Sequence, residues 1–142
     1  MKVSDVMTGR PIHIHRDETV AVAARTLTHY NIGSVPVCTA DGRLCGMVTD
    51  RDMVTRCLAV GKDPGVTRVA EVMTGGVITV RPDMDATEAA GLMGLRQVRR
   101  LPVVENGRLC GIVSLADLAL SRGGDAQAGT ALSRISSNIS SR

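Results

Sequence analysis

Aromatic residues are almost missing from this sequence. Its 142 residues include no Phe, no Trp and one Tyr, although apolar residues make up 44%. The core must therefore consist of Val, Leu, Ile, Met and Ala, which favours mixed helices and strands in close contact. A chain of this length can bury one core, so we expect one domain or two small fused units.

Long apolar runs are missing as well. No uninterrupted apolar stretch approaches the roughly 18 residues of a membrane-spanning helix, and the N-terminal MKVSDVMTGR lacks the apolar segment of a secretory signal. The formal net charge of +3 is not concentrated in a Lys/Arg run of the kind that tracks phosphate backbones. We therefore expect a cytoplasmic protein with neither a membrane nor a nucleic acid as its partner.

Signatures of catalysis and of metal binding are also lacking. The sequence shows no Ser-His-Asp grouping, nucleophile elbow, Walker loop or dinucleotide-binding glycine pattern. His13 and His15 lie two residues apart, so their side chains share one face of a strand, but no third metal ligand follows at a suitable spacing. We expect neither enzyme activity nor a metal site.

The cysteines form neither a disulfide framework nor a CxxC pair. In a cytoplasmic protein we expect them to be reduced packing residues. A redox-responsive disulfide is the alternative for Cys38 and Cys45, which flank a turn at Asp41 and Gly42. The full set is Cys38, Cys45, Cys57 and Cys110.

What the sequence does contain is an internal repeat. Three segments of the first half recur in the second half in the same order: SDVMTGRPIHIH (4–15) as AEVMTGGVITVR (70–81), SVPV (34–37) as RLPV (100–103), and LCGMVTDRD (44–52) as LCGIVSLAD (109–117). We expect a first repeat at 1–62, a linker at 63–69, a second repeat at 70–122 and a C-terminal tail at 123–142. The tail is either a short amphipathic helix or a frayed end, since its apolar residues have helical spacing: Leu132, Ile135 and Ile139.

Each repeat reads as strand, helix, strand, hairpin, strand and helix. An alternating segment, IHIH or VITV, precedes an acidic helix start and an apolar-periodic helix. Next come SVPV or LPVV, a tight Asp-Gly or Asn-Gly turn, and LCGMV or LCGIV. The expected fold class is mixed α+β: two β-α-β-β-α repeats related by a pseudo-two-fold, with their sheets packed face to face and a cleft between them.

A hydroxyl and a carboxylate recur three residues apart near the end of each repeat, as Thr49 and Asp52 in GMVTDRD and as Ser114 and Asp117 in GIVSLAD. A Ser or Thr at a helix N-terminus gathers free N–H groups, a hydroxyl and the positive end of the helix dipole, which suits phosphate. An Asp one turn along can accept two hydrogen bonds from a vicinal diol, so the pair suits a nucleotide. The alternative is that both pairs only cap their helices.

The repeated motifs resemble those of the cystathionine β-synthase (CBS) domain, here as a tandem pair over roughly residues 3–122. The resemblance rests on VMTG, SVPV, RRLPV and the two corner sequences. The resemblance implies a disc-like, non-catalytic regulatory module without an obligatory cofactor. Its cleft commonly binds adenosine-containing ligands such as AMP, ADP, ATP, S-adenosylmethionine or NAD. The chain resembles stand-alone bacterial members, which implies a homodimer and a separate protein target. A ligand-free interaction or stress-response scaffold is the other class of function.

The resemblance also implies two ligand sites that each draw on both repeats. One combines Thr49, Asp52, Thr74, Thr79, Arg99 and Arg100; the other combines Thr8, His13, Gly33, Ser34, Ser114 and Asp117. Among AMP, ADP and ATP, a di- or triphosphate should prefer the Asp52 site, because two arginines supply positive charge there. With so few aromatic residues, adenine would be held by apolar side chains and backbone hydrogen bonds.

Overall fold

The computed structural model describes residues 1–119, which contain helices and two three-stranded sheets. This confirms the mixed α+β class. The predicted tail at 123–142, with its proposed helix, lies outside the described residues. In chain order the elements are α1 (Val3–Val6), β1 (Thr8–Gly9), β2 (Ile14–His15), α2 (Val20–Tyr30), β3 (Ser34–Cys38), β4 (Leu44–Thr49), α3 (Asp50–Met53), a π-helical turn (Val54–Leu58), α4 (Val69–Val72), α5 (Ala86–Arg96), β5 (Arg100–Glu105), β6 (Arg108–Ser114) and α6 (Leu115–Ala119).

The described chain divides into two compact units, which we name after their corner carboxylates. The Asp52 unit is Ile12–Val77, and the Asp117 unit is Met1–Pro11 together with the chain from Ile78 onward. The opening segment of each sequence repeat thus packs with the remainder of the other repeat: α1 and β1 belong to the Asp117 unit, and α4 belongs to the Asp52 unit. The repeat boundaries expected above remain a prediction about the sequence, and they do not coincide with these units.

The sheet of the Asp52 unit has the strand order β2-β3-β4. β2 lies parallel to β3, and β3 pairs antiparallel with β4, with Ser34 opposite Thr49. On the other side of β4, Thr74 adds an antiparallel bridge to Met47. The buried core is aliphatic apart from one cysteine: Ile14, Val20, Ala23, Leu27, Val35, Val37, Val48, Met53, Cys57, Val69 and Val72.

The sheet of the Asp117 unit repeats this plan with the order β1-β6-β5. β1 pairs antiparallel with β6, with Thr8 opposite Ile112, so β1 occupies the position that the Thr74 bridge has in the other unit. A parallel bridge between Val80 and Val103 replaces the β2 ladder. Its core is Val3, Val80, Ala86, Ala89, Ala90, Met93, Leu101, Val103, Val113, Leu115 and Leu118.

The two long helices begin and end through local signals at equivalent positions. Thr19 and Asp85 are the N-caps of α2 and α5, and each accepts a hydrogen bond from a backbone N–H of the first turn. Asn31 and Gln97 end the helices in the left-handed conformation, with φ of 53° and 56°. Both helices cover the segments that the apolar periodicity predicts.

The alternating segments form less strand than the sequence predicts. Of IHIH only Ile14–His15 pairs in a ladder, and of VITV only Val80 forms a bridge. The chain turns toward the following helix at once, because the N–H of Glu18 donates to the carbonyl of His15 at 3.0 Å. This turn ends the β2 ladder at His15.

Candidate functional site

The Asp52 corner is a reciprocal capping box where β4 passes into α3. The N–H of Asp52 donates to Oγ1 of Thr49 at 3.0 Å, and the N–H of Thr49 donates to Oδ2 of Asp52 at 3.0 Å. Two backbone N–H groups at the start of the helix are satisfied in this way. The threonine hydroxyl keeps its own hydrogen for donation to a further acceptor.

The second carboxylate oxygen of Asp52 has partners from elsewhere in the unit. Oγ1 of Thr74 donates to Oδ1 at 3.4 Å, and Nε of Arg56 lies 4.0 Å from the same oxygen. Nη1 of Arg56 also donates to the carbonyl oxygen of Met73 at 3.1 Å. Asp52 is only 8% exposed. Its carboxylate therefore joins α3 to the segment around Thr74.

The Asp117 corner has the same capping box with fewer further partners. The N–H of Asp117 donates to Oγ of Ser114 at 3.0 Å, and the N–H of Ser114 donates to Oδ2 of Asp117 at 2.9 Å. Within residues 1–119, Oδ1 of Asp117 accepts no hydrogen bond and forms no ion pair. Thr8 is the equivalent of Thr74, but it makes no hydrogen bond to Asp117. At the position equivalent to Arg56 the sequence has Ser121, which carries no positive charge. This carboxylate is partly exposed, with one oxygen open.

Two glycines of the corner motifs allow the opening segments to lie against the last strands. A Cβ on Gly46 would clash with the backbone carbonyl of Thr74, and a Cβ on Gly111 would lie 3.0 Å from the carbonyl oxygen of Thr8. The sequence analysis assigned no role to either glycine, although each directly precedes two apolar residues in its corner motif. It also missed Arg56, which the four-residue spacing from Asp52 indicates.

The members of each predicted ligand site are distributed over both units. In the Asp52 unit lie Thr49, Asp52, Thr74, His13, Gly33 and Ser34; in the Asp117 unit lie Thr8, Ser114, Asp117, Thr79, Arg99 and Arg100. The structure brings Thr74 into hydrogen-bonding distance of Asp52. Thr79, Arg99 and Arg100 belong to the other unit, and the composition of the two complete sites remains a prediction.

The residues before each VPV or LPV segment lie beside the corner of their own unit. The carbonyl of Gly33 accepts a hydrogen bond from the N–H of Asp50 at 3.2 Å. In the Asp117 unit, the carbonyl of Arg99 accepts from the N–H of Leu115 at 2.8 Å, and Arg100 pairs with Ser114 across the sheet. The backbone around each corner is therefore fixed by hydrogen bonds on both sides.

His13 and His15 have few metal-binding side chains near them within residues 1–119; a carboxylate oxygen of Asp17 lies 3.7 Å from Nδ1 of His15. Nδ1 of His15 accepts a hydrogen bond from the N–H of Asp17 at 3.0 Å, and His13 is exposed. In the part of the chain that the structure describes, no three His, Cys, Asp or Glu residues lie close enough together to hold a metal ion. Over the same range, every helix is too short or too polar to cross a membrane.

Comparisons with known proteins agree on one family. The model of the CBS domain matches residues 3–59 and 69–122. CBS domain-containing protein YhcV of Bacillus subtilis is 40% identical over 134 residues, which are 94% of each chain. Hypoxic Response Protein I, whose crystal structure has two coordinated zinc ions, is 36% identical with a TM-score of 0.76, over 84% of this chain and 97% of its own.

A further solved structure contains adenosine ligands. The CBS domain pair of protein MJ0100, in complex with 5′-methylthioadenosine and S-adenosyl-L-methionine, is 30% identical with a TM-score of 0.73, over 88% of this chain and 98% of its own. The double family match, the identity with YhcV and the shared fold lead to the same conclusion. This chain belongs to the CBS domain family and carries the domain as a tandem pair.

Proposed function

We propose that this CBS domain pair is a non-catalytic regulatory module that binds an adenosine-containing ligand and senses energy state, with AMP, ADP and ATP as the first candidates. The observation that supports this most is the hydroxyl–carboxylate corner, which the fold builds twice with the same hydrogen bonds. The ligands of the MJ0100 domain pair supply the chemical class.

The corner chemistry fits a ribose and a phosphate. A carboxylate oxygen accepts hydrogen bonds from diol hydroxyls, and Oδ1 of Asp117 is open to such donors within the described chain. At Asp52 the hydroxyl of Thr74 already donates to Oδ1, so a diol there would share or replace that bond. The hydroxyls of Thr49 and Ser114 each retain a hydrogen to donate to a phosphate oxygen.

We propose the two sites with the residues expected from the sequence. In that proposal Arg99 and Arg100 serve the Asp52 site and favour a di- or triphosphate there. Charge-assisted bonds from arginine to phosphate are about twice as strong as neutral ones, so the loss of one arginine should weaken ATP binding far more than AMP binding.

A thermal-shift panel of AMP, ADP, ATP, NAD and S-adenosylmethionine tests the proposal. A bound ligand at 100 times its Kd stabilises the folded state by about 2.7 kcal/mol, or roughly 5–10 °C in Tm. We expect such a shift in the wild type and its loss in Asp52→Asn or Asp117→Asn, since asparagine keeps a cap acceptor but weakens diol binding. Arg99→Ala and Arg100→Ala should reduce the ATP shift selectively.

A matched control separates binding from stability. Asp85→Ala removes the cap of α5, far along the chain from both corners, and should lower the basal Tm while leaving every ligand shift intact. If no ligand shifts the wild type at millimolar concentration, the sensor proposal is wrong.

The alternative is a ligand-free interaction or stress-response scaffold. Two observations favour it: both capping boxes are complete without a ligand, and one similar protein is named for a hypoxic response. In that case the corners only start helices, and the panel gives no shift for any variant.

We also propose that the protein forms a homodimer and acts on a separate protein target. The Asp52 unit exposes several large apolar side chains close together in sequence, with exposed fractions from 54% to 73%: Val54, Leu58, Val60 and Val66. A contiguous exposed apolar patch is typical of a contact surface, and these side chains are the candidates for one in this unit. Light scattering of the wild type and of a Leu58→Glu variant measures the oligomeric state; a monomeric wild type contradicts the proposal.

A further inference from the structure

A β-bulge in the Asp52 unit places two cysteines opposite each other. In the β3–β4 pair, Val37 lies opposite Gly46 and Cys38 lies opposite Leu44, so Cys45 is the extra residue of the bulge. Two residues of the bulged strand, Leu44 and Cys45, therefore face Cys38. Opposed residues of antiparallel strands have Cα atoms about 4.5–5.5 Å apart. A disulfide requires Cα atoms about 4.4–6.8 Å apart, which is the size of separation that facing residues of paired strands have.

The two thiols have different exposure and reactivity. Cys38 is 1% exposed, whereas Cys45 is partly exposed. Burial, together with a smaller contribution from the charge of nearby Cys45, raises the pKa of Cys38 to about 11. Only a thiolate attacks a disulfide, so Cys45 is the group that reacts first with an oxidant from solvent.

The Asp117 unit contains the same bulge with one thiol. Val103 lies opposite Gly111 and Val104 lies opposite Leu109, so Cys110 is the extra residue and Val104 stands where the other unit has Cys38. Sγ of Cys110 donates to the carbonyl of Val103 at 3.4 Å, across the strand pair. The bulge thus accommodates a sulfur that points to the neighbouring strand.

In the Asp52 unit the equivalent sulfur rests on its own strand. Sγ of Cys45 lies 3.8 Å from the carbonyl oxygen of Arg43, longer than a strong hydrogen bond. A Cys45 side chain that took up the contact of Cys110 would place its sulfur against β3, the strand that contains Cys38. Rotamer changes of partly exposed side chains are fast and cost little.

We propose that Cys38 and Cys45 form a reversible intramolecular disulfide when the protein meets a small-molecule disulfide such as oxidised glutathione. The Cys45 thiolate attacks one sulfur of the oxidant, forms a mixed disulfide and releases one glutathione thiolate. Cys38 then loses its proton to solvent, and its thiolate attacks Sγ of Cys45 and releases the second glutathione as a thiolate. Two protein thiols are oxidised and one oxidant is reduced to two thiols.

The disulfide would form beside the close contact between β4 and the backbone of Thr74. It closes a ring over the turn and fixes the bulge next to Gly46, the glycine against which the Thr74 carbonyl lies. This inference does not depend on the proposed function, because it concerns the thiols alone.

Non-reducing peptide mapping tests the proposal on the intact wild-type protein. The protein is incubated with oxidised glutathione, quenched with N-ethylmaleimide in denaturant and digested with trypsin. Cleavage after Arg43 puts Cys38 in residues 26–43 and Cys45 in residues 44–51. We expect these two peptides to be joined, and dithiothreitol to separate them.

Four variants make the result specific. Cys38→Val installs the residue of the Asp117 unit and should stop the reaction at a glutathione adduct on Cys45, while Cys45→Ser should remove both products. Cys57→Ser and Cys110→Ser should leave the linked peptides unchanged. The proposal is overturned if the wild type carries only a Cys45 adduct with Cys38 alkylated, or if either cysteine is instead linked to Cys57, to Cys110 or to a second chain.

Discussion

The two corners share a capping box and differ, within the described residues, in the side chains that reach the carboxylate from farther along the chain. Asp52 is almost buried and is bound by Thr74 and Arg56, whereas Asp117 is partly exposed and has neither partner within the described residues. The hydrogen bonds that start a helix are local, so both copies of the repeat retain them. The non-local partners have diverged. Within the described residues, the Asp52 carboxylate therefore contributes more to the tertiary contacts of its unit, and the Asp117 carboxylate has one oxygen without a partner.

The largest effect should come from the glycine that brings Thr74 to the Asp52 corner. Gly46→Ala places a Cβ against the backbone carbonyl of Thr74, which cannot move without breaking the bridge to Met47. Overpacking of this kind costs about 1–3 kcal/mol, and we expect the upper end. Gly111→Ala first meets the flexible side chain of Met7, so its cost should be about 1 kcal/mol. Urea unfolding followed by circular dichroism measures both.

Gly91 supplies the matched control for the glycine experiment. It lies within α5 with no heavy atom near the position of an added Cβ. Gly91→Ala should therefore stabilise the protein by about 0.5–1 kcal/mol through helix propensity alone. Equal effects at Gly46 and Gly111 would show that the two units tolerate the close approach alike, contrary to the comparison.

A smaller difference should separate the two carboxylates. Asp52→Ala removes the side-chain half of the capping box, the bond from the N–H of Thr49, leaves Arg56 without its partner and ends the bond from Thr74, so we expect a loss of about 2 kcal/mol. Asp117→Ala removes only the bond from the N–H of Ser114 and should cost about 1 kcal/mol. Thermal unfolding without ligand gives both values. If Asp117→Ala lost more stability than Asp52→Ala, the Asp117 carboxylate and not the Asp52 carboxylate would be the more important for stability.

The sequence predicts the local elements of this structure, such as helices and turns, but few of the contacts between distant segments. Apolar periodicity and cap residues locate α2 and α5, and the Asn106-Gly107 turn forms with positive φ at both residues, as its type requires. Pairing of Thr8 with Ile112 joins positions far apart in the chain, and no periodicity encodes it. The resemblance to CBS domains suggested that Thr74 works with Asp52, whereas spacing alone did not.

At the candidate site, too, the sequence predicts the local contacts and not the contacts between distant segments. Thr49 and Asp52 are visible as a pair because their spacing is fixed by one helical turn. The role of Gly46 was not visible, because it depends on a carbonyl brought from another part of the chain. Local spacing therefore predicts which groups form a corner, and only tertiary packing decides how open that corner is.

The smallest loss of stability should follow the substitution of Arg56, and it measures how strongly Arg56 interacts with the Asp52 carboxylate. Its guanidinium is half exposed and lies 4.0 Å from the carboxylate, so Arg56→Met should cost about 0.5 kcal/mol, and less at high salt. Arg51→Met, in the preceding helix α3 and without an ion pair in the described chain, is the control and should have no effect. A double-mutant cycle with Asp52→Asn gives the coupling. If the coupling is zero, Arg56 does not distinguish the corners, and burial with the Thr74 hydroxyl accounts for the whole difference between Asp52 and Asp117.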